Sequence, residues 1–190
     1  IFAAGAAVLA GRQLGAGDRD GANRTVTSVV GLSVLIGILL CAAGIIFMDP
    51  LLRSFGASEA VLPQAREYAF WMFVAALANL PAQSMNCAAR AESSVRISSI
   101  AVVTGAALNV ILDPVFMFSW GLGMGVEGAS LATTVSQFVT CFILGWFYIT
   151  GRSIIKIKRE YFNPQWTLIR SVTLIGIPTA VIQICLAVAT

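Results

Sequence analysis

Ile97-Ser98-Ser99-Ile100-Ala101-Val102-Val103-Thr104-Gly105-Ala106-Ala107-Leu108-Asn109-Val110-Ile111-Leu112-Asp113-Pro114-Val115-Phe116-Met117-Phe118 is an apolar run with one charged side chain, Asp113. It is long enough to cross the roughly 30 Å hydrocarbon core of a bilayer as a helix, which takes about 20 residues. In that helix Asn109 and Asp113 share a face one turn apart, with side chains within roughly 6 Å. Pro114 has no N–H for the Val110 carbonyl and crowds it, so a bend is predicted there that frees this carbonyl beside the two side chains. Three oxygen-bearing groups then converge. An ionisable residue inside a span costs at least about 2.5–3.5 kcal/mol on insertion scales and is usually directed to a cavity or partner. No Lys or Arg of this sequence sits at that depth. A cation, a proton or a group outside the sequence is expected to neutralise Asp113.

Hydrophobic residues make up 58% of the chain and charged residues 11%, against about 45–50% and about 25% in soluble domains. Mean hydropathy is +0.86. The other apolar segments are also continuous and rich in Ala, Leu, Ile and Gly. That pattern predicts an all-α, polytopic transmembrane helix bundle and not an outer-membrane barrel, whose strands alternate about every second residue. The chain starts on apolar Ile1-Phe2-Ala3 without a methionine and stops inside the apolar run Ala187-Val188-Ala189-Thr190. It reads as an internal piece of a longer chain.

Residues 1 to about 16 read as the end of a helix with Gly11 and Gly15 in GxxxG spacing. The charged run Arg12 to Arg24 reads as a tight polar loop, followed by a span over about 25–48. Asp49-Pro50 has the order of an N-cap followed by proline at the first helical position, and Gly56 can end the resulting short helix, with Leu51, Leu52 and Phe55 on its apolar side. Such a helix suits the membrane surface. Ser58 is expected to cap the next helix, which passes Tyr68 and Trp71 at the interface, bends at Pro81 and ends near Ala89. After the loop from Arg90 to Arg96 comes the span carrying Asn109 and Asp113. The turn Gly121 to Gly128 leads into a further span over about 126–149, ending with Trp146 and Tyr148 as interface aromatics. A polar stretch over 150–166, with Arg152, Lys156, Lys158 and Arg159, precedes a last apolar segment interrupted by Pro178.

Alternate loops lie on one side of a membrane. One set holds Arg12, Arg19, Arg24, Arg90, Arg96, Arg152, Lys156, Lys158, Arg159 and Arg170, and the other only Arg53 and Arg66. The positive-inside rule therefore places the loops near 18, 93 and 158 in the cytoplasm and those near 55 and 123 outside.

Several other signals are weaker. Gln83 and Asn86, at i and i+3, give one helix a polar spot that could line a substrate path or serve helix contact. Gly123-Met124-Gly125-Val126-Glu127-Gly128 matches GxGxxG formally, but no strand precedes it, so the dinucleotide reading is rejected. The basic cluster after 150 needs no nucleic acid to explain it when it flanks membrane helices. Cys41, Cys87, Cys141 and Cys185 are scattered, and with no histidine in the sequence a Cys/His zinc site and a histidine-dependent catalytic triad are excluded. They read as small residues inside helices. A lone carboxylate offers little catalytic machinery, so the chain reads as a non-enzyme without cofactors.

Four of these stretches together resemble the multidrug and toxic compound extrusion (MATE) family. Gly11-Arg12-Gln13-Leu14-Gly15-Ala16-Gly17-Asp18 is similar to its loop after the second helix, and Asn86-Cys87-Ala88-Ala89-Arg90-Ala91-Glu92 to the end of its fourth. Asn109-Val110-Ile111-Leu112-Asp113-Pro114 matches the fifth helix, and Gly125-Val126-Glu127-Gly128-Ala129-Ser130-Leu131-Ala132-Thr133 the start of the sixth. Ser93 stands where the family usually has glycine. The resemblance implies a twelve-helix transporter of two six-helix lobes. Residues 1–149 then form most of the first lobe, 150–166 the cytoplasmic link and 167–190 the start of the second lobe.

Such transporters expel organic cations and other amphipathic compounds on uptake of Na⁺ or H⁺. In many members the coupling cation is held in the first lobe by a first-helix aspartate, the asparagine and aspartate of the fifth helix and a threonine of the sixth. The last three correspond to Asn109, Asp113 and Thr133. The resemblance thus implies a cation-coupled antiporter in the cytoplasmic membrane, acting with the remainder of its own transporter chain. In this reading Asp113, with Na⁺ or H⁺ bound, shifts the bend near Pro114. A carboxylate in low dielectric suits a proton, and the three oxygens suit Na⁺ equally. Asn109 and Thr133 suit plain helix–helix hydrogen bonding as well. Two rivals remain: a flippase for a lipid-linked saccharide, which needs a cationic cavity that no span here supplies, and a non-transporting membrane scaffold, which leaves Asp113 unexplained.

Overall fold

The computed structural model describes residues 2–118, 121–157, 159–162 and 166–189, apart from the side chains of 159, 166–167, 179–180, 183–184 and 186–189. Of the basic stretch read from the sequence, Lys158 and the Arg159 side chain lie outside the described residues. The regular elements among the described residues are all helical: α1 (Phe2–Gly15), α2 (Arg19–Ile46), α3 (Met48–Ser54), α4 (Leu62–Ala91), α5 (Val95–Met117), α6 (Val126–Ile149), a 3-10 turn at Arg159–Tyr161, and α7 (Trp166–Ala189). Helices α2, α5 and α6 are long and apolar enough to cross a membrane. The distribution of side chains fits that solvent. Ala10, Ala22, Ala89, Ala101, Ala132 and Ser130 are wholly buried, whereas Leu39, Ile46, Val103, Val110 and Phe142 are 60%, 72%, 65%, 71% and 68% exposed. Many of the buried positions are small and many of the exposed ones bulky and apolar, with Leu144, Val172 and Ile155 among the large side chains that are buried; lipid accepts large side chains and close backbone approach needs small ones.

Loop chemistry sets the helix ends. The run Arg12 to Arg24 is mostly helical, and the turn is only residues 16–18. Gly17 (φ +80°) is left-handed, its N–H bonds the Leu14 carbonyl and that of Asp18 bonds Gln13, which closes α1 in a Schellman motif. Asp18 Oδ1 then accepts the Gly21 N–H at 2.8 Å, so this carboxylate is the N-cap that starts α2 six residues ahead of the predicted span. Gly56 (φ +87°) closes α3 in the same motif as expected. Asp49 does not cap α3: Phe47 holds that position, and the Asp49 carboxylate is drawn into an ion pair with Arg66 of α4. Ser58 contributes its carbonyl, which accepts the Leu62 N–H at 2.9 Å, and α4 begins later than a Ser58 cap would put it. Both Pro81 and Pro178 lie within continuous helices.

The chain forms two compact units, residues 1–33, 81–99 and 144–190, and residues 34–80 and 100–143; α2, α4, α5 and α6 contribute to both. In the first, α1 packs on α7 around Ala6, Val29 and Val172, with Phe2 and Leu9 against them. The approach is close enough that a methyl group on Gly5 would meet the Val172 carbonyl at 2.0 Å. Tyr148 is buried here. Its hydroxyl donates to the Met85 carbonyl at 3.1 Å, so it ties α6 to α4 and is not an interface aromatic, whereas Trp146 is 57% exposed. Ser98 donates to the buried Asn86 Oδ1, joining α4 to α5. The four cysteines are free thiols.

Candidate cation site on α5 and α6

The second unit brings α5 and α6 together antiparallel, and two glycines set the spacing. A Cβ on Gly105 would meet Thr140 Oγ1 at 2.1 Å, and one on Gly128 would meet the Phe116 carbonyl at 2.7 Å. Between these two close approaches lie Asn109 and Asp113 on α5 and Thr133 on α6. The other face of α5 carries Val110 and Ile111, both exposed.

Asn109 Nδ2 donates to Asp113 Oδ1 at 3.2 Å and to Thr133 Oγ1 at 3.3 Å, while the Thr133 hydroxyl donates to the Ala129 carbonyl at 3.0 Å. All three side chains are half-buried. The structure therefore assembles the three predicted cation-site residues into one cluster, with the Asn109 amide facing both a carboxylate and a hydroxyl oxygen. Among the described residues the ion pairs are Arg53–Glu59 and Arg66–Asp49, and neither reaches Asp113. Turning the carboxamide over places Asn109 Oδ1 where Nδ2 stands, so that carboxylate, amide and hydroxyl oxygens lie beside one another, donors of the hard type. No cluster of three His, Cys, Asp or Glu side chains occurs among the described residues.

Just beyond the cluster α5 continues for one turn past Pro114 and ends at Met117. The glycine turn then folds back. The Leu122, Met124 and Gly125 N–H groups bond the carbonyls of Val115, Phe116 and Met117 at 2.9, 2.9 and 3.2 Å, satisfying acceptors that a helix end leaves open. Gln83 and Asn86 lie in the other unit and do not form a shared polar spot: Gln83 is exposed, and Asn86 is buried against Ser98.

Sequence reasoning missed the anchoring of α6 to α4. Trp71 Nε1 donates to Glu127 Oε1 at 2.9 Å, and Thr134 Oγ1 donates to the Trp71 carbonyl at 2.8 Å. The signal available is a glutamate in the first turn of an apolar helix, opposite Trp71 of α4. Beside this anchor is an open cavity of about 390 Å³ lined by Met48, Arg66, Glu67, Phe70, Trp71 and Glu127.

The Multidrug export protein MepA of Staphylococcus aureus (strain MRSA252) is 24% identical over 184 residues, covering 97% of this chain and 40% of that protein. The inward-facing structure of a multidrug resistance MATE family transporter of the MOP superfamily matches with TM-score 0.86 at 28% identity, over 93% of this chain and 40% of that one. The outward-facing structure matches with TM-score 0.87 at 28% identity, over 99% and 42%. The chain thus spans about 40% of the length of these proteins. A family model described as MatE matches residues 1–115, and the chain belongs to the MatE family of membrane transporters.

Proposed function

We propose that this chain works within a longer cation-coupled antiporter of the cytoplasmic membrane that exports organic cations by alternating access. Residues 1–149 serve as most of its first lobe, 150–166 as the link and 167–190 as the start of the second lobe. The observation that carries the reading is the Asn109–Asp113–Thr133 cluster on α5 and α6. The relatives' names supply the drug-export side of it, and close matches to both an inward-facing and an outward-facing structure support alternating access.

In this mechanism Asp113 accepts Na⁺ or H⁺ from outside. With the site empty the Asn109 amide bridges the two helices. Na⁺ entering between Asp113 and Thr133 requires the amide to turn its oxygen inward, and a proton on Asp113 converts an acceptor into a donor. The first removes the Asn109–Thr133 bond that joins α5 to α6; the second weakens the Asn109–Asp113 bond within α5 and so loosens the side chain that makes that bridge. The substrate is then released outward.

The test follows efflux of a fluorescent organic cation from proteoliposomes holding the full-length parent protein, under imposed H⁺ or Na⁺ gradients. Wild type is expected to respond to one gradient, and folded Asp113→Asn to lose that response. Full gradient-driven transport by Asp113→Asn would remove Asp113 from the coupling site. No transport by wild type under either gradient would favour the flippase or scaffold reading.

A further inference from the structure

Glu92 lies just past the end of α4 with its side chain buried, 5% exposed. Its Oε2 accepts two hydrogen bonds from the segment that leaves α6: one from Ser153 Oγ at 2.6 Å and one from the Ile155 N–H at 3.0 Å. The same N–H also reaches Ser153 Oγ at 3.0 Å. A second catch lies on α2, where the buried Asn23 Oδ1 accepts the Lys156 N–H at 2.8 Å. Ser153 and Ile155 are themselves buried, while Arg152 and Lys156 on either side are exposed. A connecting segment with free backbone groups would ordinarily run in water. This one is seated on side chains of α2 and of the turn after α4.

The seat is incompletely satisfied. Glu92 Oε1 is buried and has no hydrogen-bond partner among the described residues. The nearest cation in sequence, Arg90, sends its guanidinium to Cys87 Sγ at 3.2 Å. A buried acceptor without a donor opposes the two bonds made by its sister oxygen, and water would satisfy it once the segment lifts. We infer that residues 152–156 form a releasable strap, with Glu92 as its latch and Asn23 as its second catch. Closed, the strap ties the exit of α6 to α2 and to the end of α4. Open, it frees the connection towards α7.

The full-length parent protein in nanodiscs gives two readouts that need no transport. Hydrogen exchange reports the Ile155 and Lys156 amides, and trypsin reports cleavage after Arg152 and Lys156. In wild type these amides are expected to exchange more slowly than open loops and faster than the interior of α6. Glu92→Ala should raise exchange and cleavage about tenfold, whereas Glu92→Gln, which keeps an acceptor for both donors, should stay within about twofold of wild type. Wild-type Ile155 exchanging as slowly as the α6 interior would mean a fixed seat and overturn the strap. Unchanged rates in folded Glu92→Ala would overturn the latch. If that variant does not fold, Asn23→Ala decides: faster exchange at Lys156 supports the strap, and no change overturns it.

Discussion

The Asn109 carboxamide spends both amide hydrogens on oxygen atoms, one on its own helix and one on α6. Asp113→Asn mimics the neutral acid, and Thr133→Val removes one oxygen while keeping the shape of the side chain. The two changes therefore separate the coupling ions. If Na⁺ is used, Thr133→Val is expected to raise the Na⁺ concentration for half-maximal transport about tenfold, the effect of losing one good ligand or hydrogen bond. If H⁺ is used, the same variant should keep its proton-driven rate within a few-fold, because Asp113 remains. Transport followed against Na⁺ concentration and against pH distinguishes them. A second residue-scale case is Ser93. At φ +65° it occupies the left-handed position that closes α4, with its N–H on the Arg90 carbonyl and that of Ser94 on Ala89. A side chain there costs about 1–2 kcal/mol, and the extra freedom glycine gives the unfolded chain offsets part of that. Ser93→Gly should stabilise the protein by roughly 0.5–1 kcal/mol, read as a higher thermal midpoint in detergent.

Between helices, the α5–α6 contact depends on two glycines that meet different kinds of obstacle. A methyl at Gly105 collides with the Thr140 hydroxyl, the end of a short side chain, whereas one at Gly128 collides with the Phe116 backbone carbonyl. Gly105→Ala should therefore be rescued by Thr140→Ala, which clears the space. Gly128→Ala has no side chain to trim, so it should lower stability by roughly 1–3 kcal/mol, the usual cost of overpacking, and displace α6 against the cluster. Thermal unfolding of the single and double variants checks this, and equal tolerance of both glycine changes would refute the argument. Helices of this kind were legible because apolar run length alone decides them; α6 was predicted at 126–149 and occurs at Val126–Ile149. Their ends were less so. Arg19, Asp20 and Arg24 extend α2 into what reads as loop, since charged side chains can project from helix ends into water while the backbone stays hydrogen-bonded. The cation cluster was visible from the i,i+4 pair Asn109 and Asp113, but Thr133 entered only through family resemblance, because nothing local tells which hydroxyl of α6 faces α5. The partners of Glu92, Tyr148 and Asp49 are not legible in the sequence for one reason. Each takes its partner from a distant segment, Glu92 from a serine 61 residues later, and no local pattern encodes that pairing.

Across the whole chain, charge divides with the two compact units. The unit of residues 1–33, 81–99 and 144–190 holds ten basic and four acidic residues, and the unit of residues 34–80 and 100–143 holds two basic and five acidic. The ten basic residues of the first unit are the same ten that alternate loops group on one side. Lys and Arg near span ends set orientation because they resist translocation, whereas Asp and Glu contribute little. The turn at 16–18 and the segment at 152–156 are therefore expected in the cytoplasm, and the turn between α3 and α4 outside. In the full-length parent protein without its native cysteines, single cysteines at Ala16 and Ala60, both exposed positions, separate the two orientations. A membrane-impermeant maleimide added to intact cells should label Ala60→Cys and spare Ala16→Cys, and inside-out vesicles should give the reverse. The opposite pattern would invert the topology, and with it the side from which a coupling ion reaches Asp113: the proposed entry of Na⁺ or H⁺ from outside would then fail even with the cluster intact.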